Sequence, residues 1–196
     1  MDKELLSQLE ILRQRDIETR RKLLEEGRLY GVYDEDMQKV HRENANALDE
    51  IIEINGWPGI SMVGLDGSRA AWLIAQHAIC TPHLQRKFLE HMTKAAEGDE
   101  VPLKQVALLT DRIRFNEGKP QVYGTVLDWN ANGELACMLE KPEKVDELRA
   151  QVGLPPFEQT LEEHRAEVEA EGGVPPENYE AYKQASDDWA KSVGWR

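Results

Sequence analysis

The stretch Ala70–Cys80, AAWLIAQHAIC, constrains this chain more than any other. Every residue in it is apolar except Gln76 and His77. It is too short to cross a bilayer, which takes about 20 apolar residues. A helix that is apolar on all sides is buried on all sides, so other helices must surround it.

The flanking sequence supplies those helices. Residues 2–27 are rich in the helix formers Leu, Glu, Arg, Lys and Gln, with Leu5, Leu9, Leu12 and Leu23 on one face. Asp16 and Thr19 interrupt that stripe. After a connector at Leu29–Tyr33, Asp34 caps a second helix that runs to Gly56. Trp57-Pro58-Gly59 is turn chemistry, and Asp66 or Ser68 is the expected cap of the buried helix. Pro82 and Pro102 open two more helices, closed by Gly98 and Gly118.

The β signal is confined to one place. Gln121–Trp129 is rich in strand formers, Asn132-Gly133 suits a two-residue type I′ turn, and Glu134–Leu139 returns. Helices are expected again over 142–151, over 157–171 after Pro155-Pro156, and over 176–192 after Pro175-Pro176. Tyr182, Ser186, Trp189 and Val193 form a stripe on the last of these that should dock on the body. The expected fold is mainly α, a helical domain with one small antiparallel β-hairpin. It divides into an N-terminal helix (1–28), a core domain (29–157) and a C-terminal helical extension (158–196).

Charge excludes two classes of partner. Lys and Arg number 24 against 37 Asp and Glu, a net charge of −13, which repels phosphate backbones and anionic lipids. Neither nucleic acid nor membrane is an expected partner. The start, MDKELLSQLE, lacks the basic and apolar stretches of a signal peptide, and Cys80 and Cys137 belong to no CxxC or Cys/His pattern. A cytoplasmic protein with two free thiols and no cofactor is expected. Its terminal helices are the surfaces through which a homodimer would form.

Four places carry candidate chemistry. Gln76 and His77 put polar groups into packed surroundings, where each needs a hydrogen bond or a cavity. Asp111 and Arg112 set charges among apolar helix positions. Period two places Gln121, Tyr123 and Thr125 on one strand face, with Gly124 on the other, where it permits close backbone approach. His41 and Asn44 lie one turn apart on the second helix. There is no P-loop, GxGxxG, GxSxG or HExxH. His41, His77 and Asp111 are the residue types of a two-His-one-carboxylate site, but their spacing does not select one, so no metal is assigned.

The landmarks run in a recognisable order: HRENA at 41–45, GWPG at 56–59, VG at 63–64, AAWLIAQHAI at 70–79, DRIR at 111–114, EGKPQVYGT at 117–125, DWNANG at 128–133 and VGLPP at 152–156. Over roughly residues 30–157 this resembles a bacterial family of uncharacterised proteins, known only as a domain of unknown function. The resemblance implies that His41, Asn44, Gln76, His77, Asp111, Arg112, Gln121, Tyr123 and Thr125 belong to one pattern. It supplies no activity. The chain departs from the pattern at Val126, where glutamine is expected, and at Lys141, where an acidic residue is expected.

Two readings of function follow. In the first the chain is a small-molecule enzyme working by general acid–base chemistry on a small anionic metabolite, by hydrolysis, isomerisation or cyclisation. His77 is then the acid or base, Asp111 orients it, Tyr123 donates to a developing oxyanion and His41 is a second proton carrier. Arg112 holds the substrate's anionic group, with Gln76, Gln121, Thr125 and Asn44 as further substrate contacts. In the second, the chain is a non-catalytic binding or interaction protein whose polar residues form a buried structural network.

Overall fold

A computed structural model describes residues 1–29 and 33–196; part of the Leu29–Tyr33 connector therefore lies outside the described residues. The fold is mainly α with one small two-stranded antiparallel hairpin. The chain forms two compact units, Met1–Leu109 and Thr110–Arg196.

The first unit contains α1 (Lys3–Glu25), α2 (Glu35–Asn55), α3 (Ile60–His77) and α4 (Pro82–Ala96). Helix α5 (Leu103–Asn116) begins in the first unit and ends in the second. Asp2 caps α1 by accepting from the N–H groups of Glu4 and Leu5, and Asp34 caps α2 by accepting from Asp36. Helix α1 packs chiefly on α3 and also on α2, burying Leu5, Leu9, Asp16 and Leu23. It is thus an integral part of the first unit.

Helix α3 is buried as its composition requires: Ala70, Ala71, Ile74 and Ala75 are all inaccessible. It starts earlier than Asp66, at Ile60, and breaks at Gly64, where φ is +75°. Glu100 takes the capping role expected of Asp66 or Ser68: its carboxylate accepts from the Ser61 N–H at 2.7 Å. At Gly67 the helix surface is pressed close, since a Cβ there would lie 2.7 Å from Val63 Cβ and 3.1 Å from Leu6 Cδ1 of α1. Among the described residues no helix is long and apolar enough to cross a membrane.

The second unit holds β1 (Asp128–Trp129), β2 (Leu135–Ala136), α6 (Val145–Gln151), α7 (Phe157–Ala170) and α8 (Tyr179–Val193). The strands pair Asp128 with Ala136 and Trp129 with Leu135. The turn is not type I′, which needs positive φ at both central residues. Here Gly133 has φ +75° while Asn132 does not share that region, and the Asn130 side chain accepts from the N–H groups of Asn132 and Glu134. Residues 121–127 are not a strand beyond a single bridge from Gln121 to Leu139. Helix α8 docks within its unit through the half-buried stripe, with the Tyr182 hydroxyl donating to Asp128 at 2.5 Å.

Candidate functional site

The first unit brings two of the sequence-derived candidates together and adds a third residue. His77, at the end of α3, places Nδ1 2.8 Å from Oδ2 of Asp16 on α1. His41, on α2, places Nε2 3.1 Å from the same oxygen. The two imidazole centroids are 4.9 Å apart. Three helices therefore contribute one side chain each to a cluster around a single carboxylate oxygen.

Each side chain is held. Asp16 is 2% exposed and lies on the apolar stripe of α1, so the packing of α1 fixes it. The Tyr33 hydroxyl hydrogen-bonds His41 Nδ1, leaving His41 Nε2 directed at Asp16. Asn44, one turn beyond His41, donates to the Leu12 carbonyl and accepts from the Arg15 guanidinium, tying α2 to α1 beside the cluster. Burial alone would raise the Asp16 carboxyl. The adjoining His41 and His77 more than offset it and hold that carboxyl well below the usual carboxylate range.

His77 is less enclosed than its neighbours, its side chain 31% accessible. With Nδ1 committed to Asp16, Nε2 has no hydrogen-bond partner among the described residues. Asp16, His41 and His77 line a cleft of about 190 Å³ together with Arg20, Leu23, Leu29, Tyr33, Asp34 and Met37. Imidazole and carboxylate groups meet an apolar wall and one guanidinium there, which suits a small polar ligand.

Gln76 points elsewhere. Its side-chain N–H donates at 3.5 Å to the Leu108 carbonyl, and its backbone carbonyl, like that of Ala75, accepts from the buried Gln85 amide.

The remaining candidates belong to the second unit, where most of them organise a loop. Asp111 is fully buried and accepts from the N–H of Val122 at 2.8 Å, of Tyr123 at 3.1 and 3.2 Å and of Thr125 at 3.0 Å, and from the Thr125 hydroxyl at 3.2 Å. Burial pushes its carboxyl up while those donors pull it down. Three N–H groups converging on one carboxylate bend the chain, which is why 121–127 does not stay extended. Gln121 completes the bend, its amide donating to the Val126 carbonyl and accepting from the Val126 N–H.

Arg149, 1% exposed, holds the loop from its carbonyl side. It donates to the carbonyls of Tyr123 and Pro155, both at 2.6 Å, and to the Thr160 hydroxyl. Burial lowers its basicity. Gly124 takes φ +65°, and a Cβ there would lie 2.7 Å from the Phe157 ring, the close approach expected of it. Burial first, and Asp111 second, raises the Tyr123 phenol. Arg112 is half-buried on α5.

Sequence reasoning missed Asp16 and Arg149. Asp16 had a signal: an acidic residue four after Leu12 and seven before Leu23, on the apolar stripe, is a buried charge in need of partners. Arg149 had none, because a lone arginine in a short charged helix reads as surface.

Comparison with curated proteins and with solved structures finds no match. The sequence does match a family of unknown function, DUF6624, over residues 5–172. The match takes in most of α1 and all of α7, beyond the 30–157 over which the resemblance was legible, and it includes Asp16, His41 and His77 together. The chain belongs to the DUF6624 family.

Proposed function

We propose that this chain is a small-molecule enzyme whose chemistry is carried by Asp16, His41 and His77 at the cleft of the first unit. One observation carries the reading: imidazoles from two helices converge on a single buried carboxylate oxygen beside a cleft large enough for a small ligand. Holding two imidazoles and a carboxylate in one orientation is what proton transfer, hydrolysis or isomerisation requires. Asp16 takes the orienting role that the sequence offered to Asp111. The cleft volume fits a metabolite rather than a polymer.

The second reading, a structural polar network, fits the other unit. There Asp111, Gln121, Thr125 and Arg149 satisfy backbone groups of one loop. The enzyme reading therefore rests on the first unit alone.

The test is turnover of small phosphomonoesters, lactones and carboxamides by the full chain, beside Asp16→Asn, His77→Gln and the control His83→Gln. Loss of about 100-fold or more in the first two, with the control unchanged, supports the reading. Equal turnover in all four chains, or turnover in none, overturns it.

A further inference from the structure

The geometry points to a mononuclear site for a divalent first-row transition metal, bound by the Asp16 carboxylate, His41 Nε2 and His77 Nδ1. This rests on the same cleft as the proposed enzyme and names the cofactor class it would use; with the ion bound, the three side chains would serve as its ligands rather than as proton carriers. The three ligand atoms lie within 4.8 Å of one another, with Asp16 Oδ2 at 2.8 and 3.1 Å from the two nitrogens. Ligands about 2.1 Å from one ion sit about 3.0 Å apart at octahedral angles and about 3.4 Å at tetrahedral ones. The two carboxylate–nitrogen separations are already at that spacing, and the two nitrogens, within 4.8 Å of each other, would close on the ion by small rotations of the rings.

The donor set selects the ion. Two imidazoles with one carboxylate suit zinc, iron(II) or their neighbours, whereas calcium and magnesium prefer all-oxygen shells. The surroundings agree. Tyr33 engages the far nitrogen of His41, the kind of outer hydrogen bond that orients a metal-bound imidazole. The cleft lies beside the ligands, so positions on the ion would remain for water or substrate. A bound ion would also neutralise a carboxylate that is buried at 2% exposure.

The experiment strips the full chain with chelator and titrates it with Zn²⁺ against a chromophoric competitor, then with Co²⁺ as a spectroscopic probe. The expected result is one equivalent bound, visible d–d bands with Co²⁺ and a higher melting temperature. Asp16→Asn, His41→Gln and His77→Gln should each weaken binding by at least about 100-fold, and Tyr33→Phe by about 10-fold. His83→Gln, on an exposed side chain, should match the wild type. Circular dichroism identifies any variant that has not folded, and Tyr33→Phe, which removes no ligand, then carries the test. Absence of one-equivalent binding, or binding unaltered in folded Asp16→Asn and Tyr33→Phe, overturns the metal site. That failure is separable from failure of the enzyme reading: turnover lost in His77→Gln but indifferent to chelator would remove the metal and leave the reaction.

Discussion

His77 Nδ1 lies 2.8 Å from Asp16 Oδ2 although 61 residues separate them. The contact spans α1 and α3, the most extensively packed pair of helices in the first unit. In the second unit Asp111 is bound to its own loop instead. The two buried carboxylates therefore respond differently to substitution.

Asp111→Ala should destabilise the protein by about 3 kcal/mol or more, since it strands the N–H groups of Val122, Tyr123 and Thr125 in a buried loop. Asp111→Asn, which keeps one acceptor oxygen, should cost less. Urea denaturation measures both. In metal-free protein His77→Gln should cost less than Asp111→Ala, because the ring is partly exposed and the new amide can still donate to Asp16.

Replacing Arg149 by Lys should not restore what Arg149→Met removes. One ammonium cannot serve the carbonyls of Tyr123 and Pro155 and the Thr160 hydroxyl together. Both variants should lose about 2–4 kcal/mol in the same denaturation experiment.

Gly67→Ala should destabilise despite the better helix propensity of alanine. The new methyl meets Val63 Cβ at 2.7 Å and pushes on Leu6. A loss of about 1–3 kcal/mol is expected, against a gain of about 1 kcal/mol at an exposed helical site. Thermal melts decide the sign.

Burial, with Asp111 second, pushes the Cys137 thiol up to about 11. At pH 8 about one molecule in a thousand carries the thiolate, so iodoacetamide should label native Cys137 slowly and the urea-unfolded chain quickly. Linkage has a definite sign. The folded state holds this proton more tightly, so the thiol's contribution is intact below about pH 9 and is lost as pH rises towards 11. Cys137→Ala should flatten that alkaline decline.

Much of the fold was legible because it rests on local rules. The Asp34 cap, the Pro82 start and the buried Ala70–Ala75 face follow from side-chain chemistry within a few residues. Residues 121–127 were misread as strand because their shape is imposed from outside, by the Asp111 carboxylate and the Arg149 guanidinium. The site was half legible. His41 and His77 stood out as polar groups on helices with apolar faces, whereas Asp16 was read as a gap in a stripe. Its partners are tertiary, and spacing along one helix cannot reveal what faces it.

The placement of Asp16 on α1 has a further consequence. Peeling the first helix away would leave both imidazoles intact yet dismantle the centre they serve, because the acid they share departs with it. Limited proteolysis or fraying at the amino terminus would thus separate the acid from both imidazoles and uncover the apolar faces of α2 and α3 on which α1 packs, so the geometry of the cluster becomes a direct report of whether the chain's opening segment is seated.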